Sequence, residues 1–302
     1  MSPPFDVLWT LGFTAGFAAL GAVTGAVLRR ATPHVLSMRN PQVPFSVPWM
    51  EGVGAFLFGF WSWRLGGDPA ALAAVLLLST YLLAVVATDY FAKLIPDRLT
   101  FSGVAVGSVF HSLMPAPILG VSALHPFLAE RLGLSVDGAA AGMFLALAGA
   151  LLGFLALEAI RGAFGLAVGM QVMGMGDSKL LMLIGAFLGP VGVASTLVLS
   201  FLVGVVHGLI YLKVSGQPHS PFGPPLAIAA LSVLAFSGGL IRLLSWFQSW
   251  VLALPVTVLA LVYSVLLSIA VFLLWRTRGR ALEYEEAIEE DYRHIEQRLD
   301  AE

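Results

Sequence analysis

The chain contains no cysteine among its 302 residues. That removes disulfides and thiolate metal sites from consideration and leaves the redox compartment undetermined. Charge is nearly as scarce. Asp, Glu, Lys and Arg make up 11% of the sequence, and 14 of these 34 residues lie beyond Trp275. A soluble domain of this size needs a far more polar surface. No basic tract is present and the formal net charge is −2, so nothing points to nucleic acid as a partner. The first apolar stretch lacks a basic leader and a small-residue cleavage site, and reads as a retained helix. Internal repeats are not evident, which weighs against an inverted-repeat transporter.

What the chain does have is apolar surface: 58% of its residues are hydrophobic and the mean hydropathy is +0.90. Windows of roughly 20 apolar residues, the length that crosses a bilayer, fall near residues 7–28, 49–65, 69–88, 99–119, 137–160, 190–212, 224–241 and 251–275. A shorter apolar arm, 179–189, is broken from the span after it by Gly189-Pro190. The pattern predicts a helical pair with a short first member over 179–212. With that arm counted as a crossing, the basic residues sort by side. Arg29, Arg30, Arg39, Lys93, Arg98, Arg161, Lys179, Lys213, Arg276, Arg278 and Arg280 share one face, and the other keeps only Arg64, Arg131 and Arg242. The basic face is the cytoplasmic one.

The expected architecture is an all-α polytopic transmembrane helix bundle of about eight to nine spans in the cell inner (cytoplasmic) membrane, with the C-terminus inside. Its segments are a first helix (1–28), a short cytoplasmic loop (29–48), a core (49–241), an extra span (242–275) and a charged tail (276–302). Within 281–302, Tyr284, Ile288, Tyr292, Ile295 and Leu299 recur at helical spacing, the mark of an amphipathic cytoplasmic helix.

Nine acidic residues precede the tail, and two stand out by position. Asp89 ends the third span in Ala-Thr-Asp-Tyr-Phe-Ala-Lys-Leu-Ile-Pro-Asp, residues 87–97; Asp177 lies in Met-Gly-Met-Gly-Asp-Ser-Lys-Leu-Leu, residues 173–181. The topology sets both at one depth on the cytoplasmic side. Carboxylates beside hydrocarbon are costly and call for a partner, water or a function. Two of them within about 3–5 Å share a proton at neutral pH. That state suits peptide hydrolysis: the ionised member takes a proton from water while the protonated one polarises the scissile carbonyl. Neither a metal nor another cofactor is needed. Gly174 and Gly176 fit the scheme because glycine lets a substrate strand approach the backbone closely.

At these residues the chain resembles the type IV prepilin peptidases, a family of Gly-x-Gly-Asp aspartic membrane proteases. The likeness rests on Asp89 followed by Ile95-Pro96-Asp97, on Gly-x-Gly-Asp-x-Lys-Leu-Leu at 174–181 with Gly-Ala-Phe-Leu-Gly at 185–189, and on Pro-Phe-Gly-Pro at 221–224 leading into Leu-Ala-Ile-Ala. It implies that Asp89 and Asp177 are the catalytic pair, with Gly174, Gly176, Lys179 and Asp97 as candidate substrate contacts. It also implies prepilin or pseudopilin precursors as substrates, each a basic leader ending in glycine before a hydrophobic helix, and pilus or secretion components as partners. Two features depart from the family pattern. Bifunctional members carry two Cys-x-x-Cys pairs and a methyl-transferring activity in a long loop after the first span, whereas 29–48 is short and cysteine-free. The span 251–275 and the tail have no counterpart in the resemblance.

Plainer readings stand beside these. Asp89 and Lys93 form an i,i+4 pair, Asp97 fits a helix cap, and Asp177 fits an N-cap before an apolar run. Lys179 equally suits lipid headgroups, and Pro221-Phe-Gly-Pro224 suits a rigid turn. His111 and His207 read as packed residues, Glu51 and Glu158 as span-end acids, and Trp61 with Trp63 as an interfacial belt. A transporter or ion relay using Asp89 and Asp177 is the alternative function, and an inactive assembly scaffold is a third.

Overall fold

The computed structural model describes residues 5–37, 49–113, 139–168, 174–216 and 220–236. Every element among them is helical: α1 (Phe5–Ser37), α2 (Trp49–Leu65), α3 (Pro69–Ala92), α4 (Asp97–Leu113), α5 (Ala139–Val168), α6 (Met175–Ser215) and α7 (Gly223–Ala235). Four stretches are long and apolar enough to cross a membrane: Thr10–Ala31, Pro69–Tyr90, Gly142–Ala163 and Met175–Ser215. The protein is an all-α membrane protein. The expected span 251–275, the helix over 281–302 and part of the loop 29–48 lie outside the described residues. Two compact units divide the chain, one built from 1–157 and 175–241, the other from 158–174 and 242–302. All the residues singled out above for chemistry, except Gly174, belong to the first.

Lipid tails are as apolar as leucine, so membrane helices associate through close packing of small residues rather than by hydrophobic drive. This bundle follows that rule. A Cβ on Gly21 would lie 2.1 Å from the Gly54 carbonyl oxygen, and one on Gly25 would lie 2.3 Å from that of Met50, so α1 and α2 meet backbone to backbone. The other helices crowd α5 in the same way: a Cβ on Gly142 would lie 2.1 Å from His111 O of α4, and one on Gly149 2.3 Å from Gly185 O of α6. Outward, Val198, Leu202, Val205 and Leu209 form an exposed stripe on α6 at helical spacing, as a lipid-facing surface requires.

The central element is α3, whose Leu72, Ala74, Val75, Leu78, Leu82, Val85 and Ala87 are all buried. It opens with Asp68 accepting from Ala71 N at 3.0 Å and Pro69 in its first turn, a conventional start. It closes on Lys93, which sits in the left-handed region at φ 48 and donates its N–H to Asp89 O. Ile95-Pro96 then prevents helix, since proline excludes helical backbone in the residue before it, and α4 begins at Asp97.

Two local expectations change and a third holds. The first helix does not stop at Leu28: α1 runs to Ser37, so Arg29 and Arg30 ride on helix rather than loop, and Arg29 Nε reaches Glu51 Oε1 of α2 at 2.8 Å. Trp61 is buried, and only Trp63 is exposed. Positions two apart on a helix point about 200° apart, so the pair cannot both face an interface. The predicted break appears inside one long element: Gly189 has φ 67 and ψ −178, and Pro190 follows, which parts α6 into arms 175–188 and 190–215. Glycine is required at that φ, and proline accounts for the lost helix at the residue before it.

Candidate active site

Asp89 occupies the last turn of α3 and is 6% exposed; Asp177 occupies the first turn of α6 and is 8% exposed. Burial of these two carboxylates sets them apart from the other acids among the described residues. Asp177 is the third residue of α6 rather than the residue before it, so it is not the N-cap, although its charge still complements the positive end of the helix.

The two segments meet through their neighbours. The position a Cβ on Gly176 would take lies 3.1 Å from Ile95 Cβ, and Lys179 Nζ lies 2.6 Å from Asp97 Oδ1. Both contacts join the link after Asp89 to the turn that holds Asp177. Asp97 and Lys179 thus face each other, with Lys179 also 5.9 Å from the centre of the Phe101 ring. Ile95 fills the space beside Gly176, whereas Gly174 is exposed just ahead of α6. Of the two motif glycines, Gly174 is exposed and Gly176 partly exposed.

A partner that sequence reasoning missed is Gly223. Its N–H donates to Asp89 Oδ2 at 2.8 Å. The first N–H groups of a helix have no partner inside it, and at α7 two of the first three positions are Pro224 and Pro225, which have none to offer. Leu226 N already bonds Phe222 O. Gly223 therefore supplies the free donor of this helix end, and it is spent on the carboxylate. A Cβ there would lie 2.5 Å from Asp89 Oδ2. The Pro-Phe-Gly-Pro segment is thus more than a turn: its glycine allows contact and its prolines remove competing donors. A glycine flanked by prolines, late in a chain with few acids, was the available signal.

The lone histidines are packed, as their isolation suggested. His111 Nε2 lies 2.9 Å from Phe187 O, so that nitrogen carries the proton, and His207 Nδ1 lies 2.9 Å from Ser220 Oγ. Tyr211 stacks on His207 and meets Tyr90, the residue after Asp89, edge-on at 6.5 Å. Glu51 and Glu158 are each paired with an arginine.

Residues 76–209, which carry both aspartates, match the model of the type IV leader peptidase family. That segment belongs to this family. The chain is 34% identical over 198 residues to a prepilin leader peptidase/N-methyltransferase of Stutzerimonas stutzeri, covering 64% of the chain and 57% of that protein. It is 34% identical over 211 residues to the protein of the same name from Pseudomonas aeruginosa, covering 68% of the chain and 61% of that protein. Against the Xanthomonas campestris protein so named, identity is 32% over 185 residues, covering 59% of the chain and 55% of that protein. The matched part is thus less than two thirds of each of these relatives. No solved structure matches the chain. The transport alternative gains nothing from these matches.

Proposed function

We propose that this protein is an aspartic endopeptidase that removes the leader from type IV prepilin or pseudopilin precursors, with Asp89 and Asp177 as its catalytic pair. The observation that carries the reading is the meeting of two family motifs at one corner of the bundle. A buried carboxylate ends one helix, another begins a second, and Ile95–Gly176 and Asp97–Lys179 contacts tie the two segments together. The reaction consumes one water. The ionised carboxylate takes its proton as the oxygen attacks the scissile carbonyl, which the protonated partner polarises; collapse returns a proton to the departing amine.

The site works at the cytoplasmic face of the inner membrane, in a bundle of about eight to nine spans oriented by its basic residues. The precursor's apolar helix lies in the bilayer beside the bundle while its basic leader reaches the acids. Pilus or secretion components are the expected consumers of the product. Co-expression with a prepilin-type precursor is the test: leader removal appears as a faster-migrating product whose new N-terminus follows the glycine. A precursor that stays intact beside well-inserted protein, across several such substrates, overturns the reading.

A further inference from the structure

The arm of α6 that carries Asp177 is laid along α4 with a repeat of about four residues on both helices. Lys179 sits between Asp97 and Phe101, two residues on the same face of α4. Four residues on, Leu183 closes on Gly103, where a Cβ would lie 2.4 Å from its Cδ1. After a further four, Phe187 closes on Gly107, where a Cβ would lie 3.0 Å from its ring. The row ends at His111, whose Nε2–H donates to the Phe187 carbonyl at 2.9 Å. The numbering rises in the same direction on both helices, so they run parallel.

Two of these contacts are polar, and they stand at opposite ends of the row. The Phe187 carbonyl lies two residues before Gly189, where the helix kinks. His111, buried in the bundle, donates to it. At the other end, Lys179 is 17% exposed and Asp97 61% exposed, so the ion pair closes the arm at its mouth. At Gly189-Pro190 the helix kinks, and Pro190 has no N–H to give to the turn before it. The arm before the kink packs on α5 through Gly185 and Leu181 and on α4 through the row above, and α4 is joined to Asp89 by a short link.

We propose that the Asp97–Lys179 pair and the His111–Phe187 hydrogen bond form a two-ended clasp that fixes the Asp177 arm on α4 and so sets Asp177 against Asp89. On this reading Asp97, Lys179 and His111 are positioning residues, and none of them touches the substrate. The inference rests on the proposed peptidase reading for its kinetic consequences, while its structural core is independent of any activity.

Two measurements test it on the full chain in membranes. In leader cleavage, Asp97→Asn and Lys179→Met should each lower kcat roughly ten- to hundredfold with KM little changed, since misplacing a reacting group by about 1 Å costs this much. The double variant should lose no more than either single one, because both remove the same contact. Lys179→Arg and His111→Gln, which keep a donor, should recover much of the rate that Lys179→Met and His111→Leu lose. Additive losses, or losses confined to KM, overturn the clasp in favour of separate substrate contacts. The second measurement needs no substrate. The chain has no cysteine, and Ile95 packs on Gly176, so Ile95→Cys with Gly176→Cys gives an oxidative cross-link that reports the position of the arm. Its rate should fall several-fold when Lys179→Met is added. A rate indifferent to that change overturns the clasp even where cleavage is normal; a dependent rate in a chain that cleaves no precursor upholds the clasp and removes the peptidase reading instead.

Discussion

At the scale of single residues, the site depends on where a few atoms are allowed to be. Asp89→Asn or Asp177→Asn leaves shape almost unchanged and removes half of the proposed proton-sharing pair. Each should cut leader cleavage by on the order of a thousandfold or more, and the double variant should be no worse, since residues acting as a unit lose their function once. Kinetics on membrane-inserted variants checks this, and brisk cleavage by either single variant removes that residue from the catalytic pair. Gly223→Ala tests a residue that the motif reading undervalued. The added methyl would stand 2.5 Å from Asp89 Oδ2 and has to displace either the carboxylate or the start of α7. A fall in kcat of roughly ten- to hundredfold is expected, with the amount of inserted protein unchanged; wild-type kinetics would show that Gly223 is only a turn residue. Asp89 and Asp177 stood out in the sequence because acids at span ends are conspicuous in a chain with so little charge, and both are buried. Gly223 was not, because its partner lies 134 positions away and hydrophobic periodicity carries no information about such pairings.

At the scale of elements, apolar windows located the helices well and their ends poorly. Hydropathy fades at Arg29, yet α1 continues to Ser37, because helix needs backbone hydrogen bonds and tolerates charge where lipid does not. The break at Gly189-Pro190 was legible, since proline and glycine act on the backbone locally. Helix neighbours were not, because what brings them together here is the absence of side chains. That yields a contrast between two glycines of the same type of environment in sequence. Gly149→Ala places a methyl 2.3 Å from Gly185 O on the facing helix, whereas Gly12→Ala meets nothing within 4 Å. The first should destabilise the bundle by about 1–3 kcal/mol, the usual cost of overpacking. The second should be neutral or slightly stabilising, since alanine favours helix over glycine by about 1 kcal/mol. Thermal unfolding of both variants in one detergent decides the matter. Equal midpoints would mean that α5 and α6 do not meet through these glycines.

At the scale of the whole molecule, composition and the apolar windows pointed to an all-α membrane protein, while the way α3, α4, α6 and α7 converge on one corner needed the three-dimensional arrangement. The same scale raises the question of a second activity. The relatives from Stutzerimonas and Pseudomonas are named for methyl transfer as well as for leader cleavage. In the bifunctional pattern, methyl transfer goes with a long loop bearing two Cys-x-x-Cys pairs after the first span. Such pairs suit a tetrahedral zinc site, which folds a segment too small to have its own core. This chain has no cysteine to hold such an ion. The space for the loop is also taken up: α1 extends to Ser37 and α2 starts at Trp49, with Arg29 and Glu51 bridging the two helices. Only 38–48 remain between the helices, too few residues to enclose a methyl donor the size of S-adenosylmethionine by themselves. Cleavage without methylation is the expected outcome. A precursor processed with this protein as the sole leader peptidase should yield a mature chain whose N-terminal amine is unmodified by mass spectrometry. A gain of one methyl group would show that a donor binds among the helices themselves, and would move the search for that site from the loop into the bundle.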